Sequence, residues 1–207
     1  REEDYERYRP GYPMDVVRLL ECKGFLFTGA RVADIGSGTG ILSAMLIEVG
    51  AFVCGVEPNA CMRNRAEIRF RGDPNFKSVP ERAEATGLPD RSIDLVTAAQ
   101  SFHWFDVEKC RREFKRILRT GGAAALVWNN RLDEGDFNIA YSRMLKDRGV
   151  DDSRGGSDEE QKRRIDSFFE GVYEYHEFGN DQSLDLTSLE GRLRSSSYCP
   201  RPDDPSF

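Results

Sequence analysis

The sequence has no hydrophobic run approaching the ~18 residues a membrane-spanning helix requires, and nothing in it reads as a span. No two of its cysteines, Cys22, Cys54, Cys61, Cys110 and Cys199, stand in C-x-x-C spacing, and their number is odd. That speaks against zinc and dithiol motifs and for reduced thiols in a cytoplasmic protein. There is no excess of cations: 30 Lys and Arg face 36 Asp and Glu, a net charge of −6. Affinity for a phosphate backbone comes from clustered cations, so the balance argues against a nucleic-acid partner. There is no internal repeat and no metal-ligand cluster. The start, Arg1-Glu-Glu-Asp-Tyr, is too charged for a secretory leader. It lacks an initiator Met, so a processed, trimmed or partial chain is expected.

What is present fits one soluble α/β domain. The 207 residues suffice for a full core with a small appendage, and 39% of them are hydrophobic. Pro13 opens a helix with Val16, Val17, Leu19 and Leu20 on its apolar face, and Gly24 stops it. Arg31–Ile35 reads as a first strand, followed by a glycine turn and a helix carrying Ile41, Leu42, Met45, Leu46 and Val49. Strands are expected at 51–56, 76–79, 93–99 and 123–128. Asn59 and Asp106 are positioned to cap the intervening helices, and Gly121-Gly122 to end the second of these. Five strands alternating with helices predict a doubly wound, Rossmann-like, mostly parallel sheet with helices on both faces. After Asn130 the pattern loosens. Helices are expected at 137–145 and around Ile165, Phe168 and Phe169. A solvated, flexible loop is expected at 151–160, a strand at 172–178, and a capping box at Thr187 and Glu190. Three parts follow: an N-terminal covering segment and helix at 1–30, a cofactor-binding core at 31–130, and a C-terminal part at 131–207 contributing to the substrate pocket.

The residues that carry chemistry cluster at the expected C-terminal ends of the strands, where such folds bind ligands. Gly36, Gly38 and Gly40 form G-x-G-x-G. A dinucleotide turn places its third glycine one position later, where Ile41 stands. Gly36 supplies a backbone conformation closed to other residues, and Gly38 lets a ligand approach the main chain. Asp34, before the turn, suits a ligand ammonium and would repel a pyrophosphate. Glu57 ends the second strand, where a carboxylate can accept both ribose hydroxyls. Met62, one turn into the next helix, can pack on an adenine face or serve as core. Glu84, after the small Ala83, can take an exocyclic amine or simply face solvent. After the fourth strand, Gln100-Ser-Phe102-His103-Trp104-Phe105 brings a histidine and aromatics to a pocket mouth. His103 is a candidate general base, and an orienting role is equally open.

These stretches carry a resemblance. Val32-Ala-Asp34-Ile-Gly36-Ser37-Gly38-Thr-Gly40 resembles motif I of the class I S-adenosylmethionine-dependent methyltransferases, and Val53-Cys-Gly-Val-Glu57-Pro58-Asn59 their post-motif I. Ala83-Glu84, Leu88-Pro89 and Ser92-Ile-Asp94-Leu-Val96 resemble the approach to their fourth strand, and Phe114–Gly122 the helix before their fifth. Tyr8-Arg9-Pro10-Gly11-Tyr12-Pro13 and Gln100–Phe105 are similar to a small-molecule-type subgroup of the methyltransferase type 11 family. The resemblance spans about residues 5–130. It implies S-adenosyl-L-methionine as cofactor, with Gly36, Ser37 and Gly38 on its methionine part and Asp34 nearby. It implies Glu57 at the ribose, Ala83 and Glu84 at the adenine, and Ala99 or Gln100 at the amino group; Pro58 and Met62 join these as candidate cofactor-binding residues. Tyr8 and Arg9 would lie on the segment covering the site. Tyr12, Phe102, His103, Trp104 and Trp128 are the candidate acceptor-pocket residues. Family members close the sheet with further antiparallel strands, so an incomplete C-terminal part is expected.

Methyl transfer asks mainly for positioning and water exclusion, and for a base only when the acceptor must lose a proton. The first expectation is a small-molecule methyltransferase, monomeric or homodimeric. A methylase of a protein or RNA side group and a catalytically silent cofactor-binding subunit are the competitors. The amino-methylating Asn/Asp-Pro-Pro-aromatic motif is absent after strand four, and Ile41 weakens a dinucleotide dehydrogenase reading.

Overall fold

The computed structural model of the chain describes residues 10–132, 134–147 and 158–195. Its centre is a five-stranded parallel sheet: β1 (Arg31–Ile35), β2 (Phe52–Val56), β3 (Phe76–Val79), β4 (Ile93–Ala99) and β5 (Leu118–Val127), in the order β3-β2-β1-β4-β5. β1 lies centrally, between β2 and β4, and every residue after Arg31 is buried, Asp34 included. The helices are α1 (Met14–Cys22), α2 (Ile41–Glu48), α3 (Ala60–Arg69), α4 (Val107–Ile117), α5 (Asp136–Asp147), α6 (Asp158–Phe169) and α7 (Leu186–Ser195).

Strand side chains alternate between faces, and each face has its own core. Val32, Val53 and Leu95 pack against Val17 and Leu20 of α1 and Leu42 and Leu46 of α2. Ala33, Ile35, Cys54, Val56 and Val96 share the other face with Cys110, Phe114 and Ile117 of α4 and Phe168 of α6. Full burial of each large side chain here contributes about 1.5–3 kcal/mol. Burial also pushes the Cys110 thiol up to about 12, with the nearby acids adding to the effect, so this cysteine is no nucleophile. The four described cysteines are free.

Two predicted caps form. The Asn59 side chain accepts from the Cys61 and Met62 amides, and Asp106 from that of Lys109. Other expectations change. Gly121-Gly122 does not end α4, which stops at Ile117; the pair lies inside β5, at an irregularity in its pairing with β4. Residues 172–178 belong to no strand. They pair with no strand of the sheet, and Val172 and Tyr175 stand exposed. At α7 the capping residue is Asp185, whose side chain accepts from the Ser188 amide, and Thr187 is already helical. Of the loop expected at 151–160, residues 151–157 lie outside the described residues, and 158–160 are the first turn of α6. Among the described residues no helix is long and apolar enough to cross a membrane.

Candidate cofactor and acceptor site

At the C-terminal end of β1 the chain turns sharply through three left-handed glycines, Gly36 (φ 69°), Gly38 (φ 56°) and Gly40 (φ 81°). Each answers a different demand. A Cβ on Gly36 would lie 2.5 Å from Ser101 Cβ, so this glycine lets the turn press against the loop after β4. Ser101 completes the junction by donating from Oγ to the Ile35 carbonyl at 2.8 Å. A Cβ on Gly40 would strike Phe70 at 2.5 Å, which makes the third glycine a packing residue between α2 and the end of α3. Gly38 differs: its open side meets only Met62 Cε, at 3.7 Å. Here the turn leaves a space that a side chain would begin to fill.

Glu57, just past β2, is almost buried. Its Oε2 accepts from the Gly38 amide at 3.0 Å and its Oε1 from the Asn59 amide at 2.8 Å. A carboxylate offers about four acceptor positions, so these two bonds orient the group and leave capacity for a diol. Pro58 is exposed beside it, its carbonyl accepting from Arg63 at 3.2 Å.

The pocket beside the turn is lined by Gly36, Ser37 and Gly38, by Asp34 beneath them, and by Tyr12 and Ala99 on either side. Thr39, Ile41 and Leu42 complete it. The last three were absent from the sequence-based set, because a threonine and two aliphatics opening a helix look like core. Thr39 is the most informative of them. Its hydroxyl is buried without a hydrogen-bond partner, which ordinarily costs about 1–3 kcal/mol. Such an atom in a pocket wall fits a site completed by a polar ligand.

Asp34 is fully buried, and both its oxygens are occupied, Oδ2 by Ser43 Oγ at 2.6 Å and Oδ1 by Thr97 Oγ1 at 2.9 Å. Burial is the dominant influence on its pKa and pushes it from 3.8 up to about 6. The two hydroxyls oppose that rise and the Glu57 charge adds to it. Asp34 therefore braces β1, α2 and β4 under the pocket, as well as forming part of its floor.

The pair Ala83 and Glu84, expected at the adenine, sits one loop away. Ala83 is buried in the core, and Glu84 Oε1 accepts from the Asp106 amide at 3.0 Å, tying its loop to the start of α4. The next turn of that loop is fixed by Glu113, which accepts from the Thr86 amide and hydroxyl at 2.8 and 2.6 Å. After β4, Gln100 takes the left-handed conformation (φ 55°), rare for a residue with a side chain and typical of functional turns. A short 3-10 turn, Phe102–Trp104, follows. His103 is half-buried on it, its ring centroid 4.9 Å from that of Trp104, and Trp104 is 73% exposed.

One of the residues expected at the acceptor pocket goes elsewhere. Phe102 is 1% exposed; its ring meets Phe105, Trp128 and Phe168 edge-on in the core. Trp128 packs against the same cluster. The Arg164 guanidinium fixes this loop from α6, donating to the Phe105 carbonyl at 2.8 Å. Tyr8 and Arg9 lie outside the described residues.

A parallel sheet in this order, a glycine turn at its centre and an acid at the neighbouring strand's end define a nucleoside-binding domain of the methyltransferase type. The comparisons agree. Residues 33–126 match the family model described as a methyltransferase domain. An uncharacterized methyltransferase of Mycobacterium tuberculosis is 36% identical over 141 residues, which are 68% of this chain and 54% of the relative. One from Schizosaccharomyces pombe is 32% identical over 144 residues, 69% and 56% of the two chains. A crystal structure from Methanococcus maripaludis, provisionally described as an S-adenosyl-L-methionine-dependent methyltransferase, superposes with a TM-score of 0.65. It covers 86% of this chain and 85% of that one at 22% identity, a likeness of fold. The matched methyltransferase domain, the relatives and the fold together support a class I methyltransferase domain, a class whose cofactor is S-adenosyl-L-methionine. The chain spans about half the length of the curated relatives it matches.

Proposed function

We propose that the protein transfers a methyl group from S-adenosyl-L-methionine to a small-molecule acceptor. The observation that carries this reading is the bond between the Gly38 amide and the Glu57 carboxylate. It joins the glycine turn of β1 to the acid ending β2 across the space beside Met62. The remaining capacity of Glu57 suits the two ribose hydroxyls. The buried Thr39 hydroxyl suits the amino-acid end, and Met62 an apolar ring face. Tyr12 and Ala99 also line the pocket.

When bound, the cofactor supplies an electrophilic methyl on a sulfonium. The chain's part is then to hold that end at the C-terminal edge of β1 and β4, exclude water and present the acceptor in line. Correct orientation alone is worth up to ~7–11 kcal/mol of barrier. In our reading His103 and Trp104 stand on the acceptor side, and the unprotonated ring nitrogen of His103 takes the proton from an acceptor atom that must lose one as it attacks the methyl. An acceptor that is already anionic needs no such base.

Calorimetry with S-adenosyl-L-homocysteine tests the cofactor reading. Micromolar binding is expected, weakened at least tenfold in Glu57→Ala. Equal affinity in that variant, or binding of NADH instead, would sink it. Turnover against a metabolite panel then separates an enzyme from a silent binding subunit, and activity only on protein or RNA would move the acceptor class.

A further inference from the structure

The pocket-lining Tyr12 follows Gly11, and the Gly11 carbonyl is held by side chains from two distant parts of the chain. Asn129, just past β5, donates from Nδ2 to it at 3.1 Å. Asn180, from the segment between α6 and α7, donates to it at 3.0 Å. The same Asn180 amide also donates to Asn129 Oδ1, at 2.9 Å. The two asparagines thus use their groups consistently, nitrogen toward carbonyl and nitrogen toward oxygen, and together they fill both acceptor positions of the Gly11 carbonyl. Asn129 is anchored in turn, since Gln100 Nε2 donates to its carbonyl at 3.0 Å. Gln100 is the left-handed residue at the end of β4, next to the pocket-lining Ala99.

A second tie lies further back. Lys23, just after α1, donates to Glu174 at 2.6 and 2.8 Å. The segment 174–180 therefore runs between α1 and the strand ends, fixed to the N-terminal element at both of its own ends. The Lys23 pair is exposed, and exposed ion pairs hold little by themselves. Positional control of Gly11 falls to the asparagines.

We propose that Asn180 is a positioning residue for the cofactor pocket, clamping the Gly11-Tyr12 segment across its entrance. Residues 174–180 belong to the C-terminal part expected to contribute to the acceptor pocket. The clamp therefore makes cofactor residence depend on the state of the acceptor side. This rests on the cofactor reading given above.

The test uses the full chain, S-adenosyl-L-homocysteine as probe, and the variants Asn180→Ala and Asn180→Asp. The alanine removes two exposed hydrogen bonds, each with a modest net worth. We expect the probe to leave about three- to tenfold faster, with its association rate within about twofold of wild type and the melting temperature nearly unchanged. The aspartate turns an acceptor toward the Gly11 carbonyl and Asn129 Oδ1, so its effect is at least as large. In both variants, amide hydrogen exchange in residues 11–17 rises before any ligand is added.

Unchanged exchange in this segment overturns the clamp whether or not the probe binds. Raised exchange with an unchanged dissociation rate overturns its coupling to the pocket. If wild type fails to bind the probe, the cofactor reading falls, and with it the coupling, while exchange alone still decides whether Asn180 holds Gly11.

Discussion

Asp34 carries a stability cost that can be measured. The perturbation is Asp34→Asn, which keeps the shape and both hydroxyl partners: a hydroxyl can donate to the amide oxygen or accept from the amide nitrogen. The carboxyl's pKa rises from 3.8 to about 6, mainly through burial, a shift of roughly two units. At ~1.36 kcal/mol per unit, ionising it in the folded protein costs about 3 kcal/mol more than in the unfolded chain. A raised folded pKa means that the native state holds more protons than the unfolded chain between about pH 4 and 6. The stabilisation from protonated Asp34 is complete below the unfolded value and disappears as pH rises through about 6. Asparagine is neutral throughout. The variant and wild type should therefore be about equally stable near pH 4. Near pH 8 the variant should be more stable by about 2–3 kcal/mol, or roughly 5–10 °C in melting temperature. Urea titrations followed by circular dichroism at both pH values measure the difference directly. A variant no more stable than wild type at pH 8, or a difference equal at pH 4 and 8, refutes the argument. If the gain appears, a costly carboxylate is being kept in the wall of a ligand pocket, and probe affinity should fall in the same variant.

Gly36→Ala should cost about 2–4 kcal/mol, combining a left-handed backbone with a Cβ forced onto Ser101. Adding Ser101→Gly should recover the steric part, and chemical denaturation of both variants that finds no recovery would reject the contact. Phe102→Ala should cost about 3–5 kcal/mol as a core truncation, while Trp104→Ala, on the same turn, should leave stability within about 0.5 kcal/mol and alter acceptor turnover if it alters anything. Equal losses in thermal melts would contradict the opposite burial of these neighbours.

Much of this was legible in the chain because parallel strands covered on both faces are contiguous apolar runs. The bounds expected for β4 match for that reason; those of β1 and of the edge strand β3 match too, although both carry charged residues. β5 was read too short. Its Gly121-Gly122 looks like a helix stop, but a Cβ on Gly122 would lie 2.9 Å from the Asp94 carbonyl, so the glycine serves sheet pairing. The glycine turn and Glu57 were legible because they combine rare residue types at fixed spacing. Phe102 misled because an aromatic beside a histidine looks the same in sequence whether its ring turns to solvent or core. Residues 172–178 alternate as a strand does, yet strand formation requires a partner edge that alternation alone does not supply. The meeting of Gly11 with Asn180 had no local signature: 169 positions separate them.

The ring of Phe102 passes from the turn bearing His103 into the core shared by α4 and α6, and Arg164 of α6 holds the same turn by its backbone. The turn bearing His103 is thus set from the far side of the sheet, by residues that need never meet a ligand. A lineage changing its acceptor has two routes open, one through the pocket and one through the packing of α6. The second leaves the glycine turn and Glu57 untouched. Selection for a new acceptor should accordingly find productive substitutions around Arg164 and Phe168 as well as at the mouth, and the donor half of the molecule can stay constant while the recipient drifts.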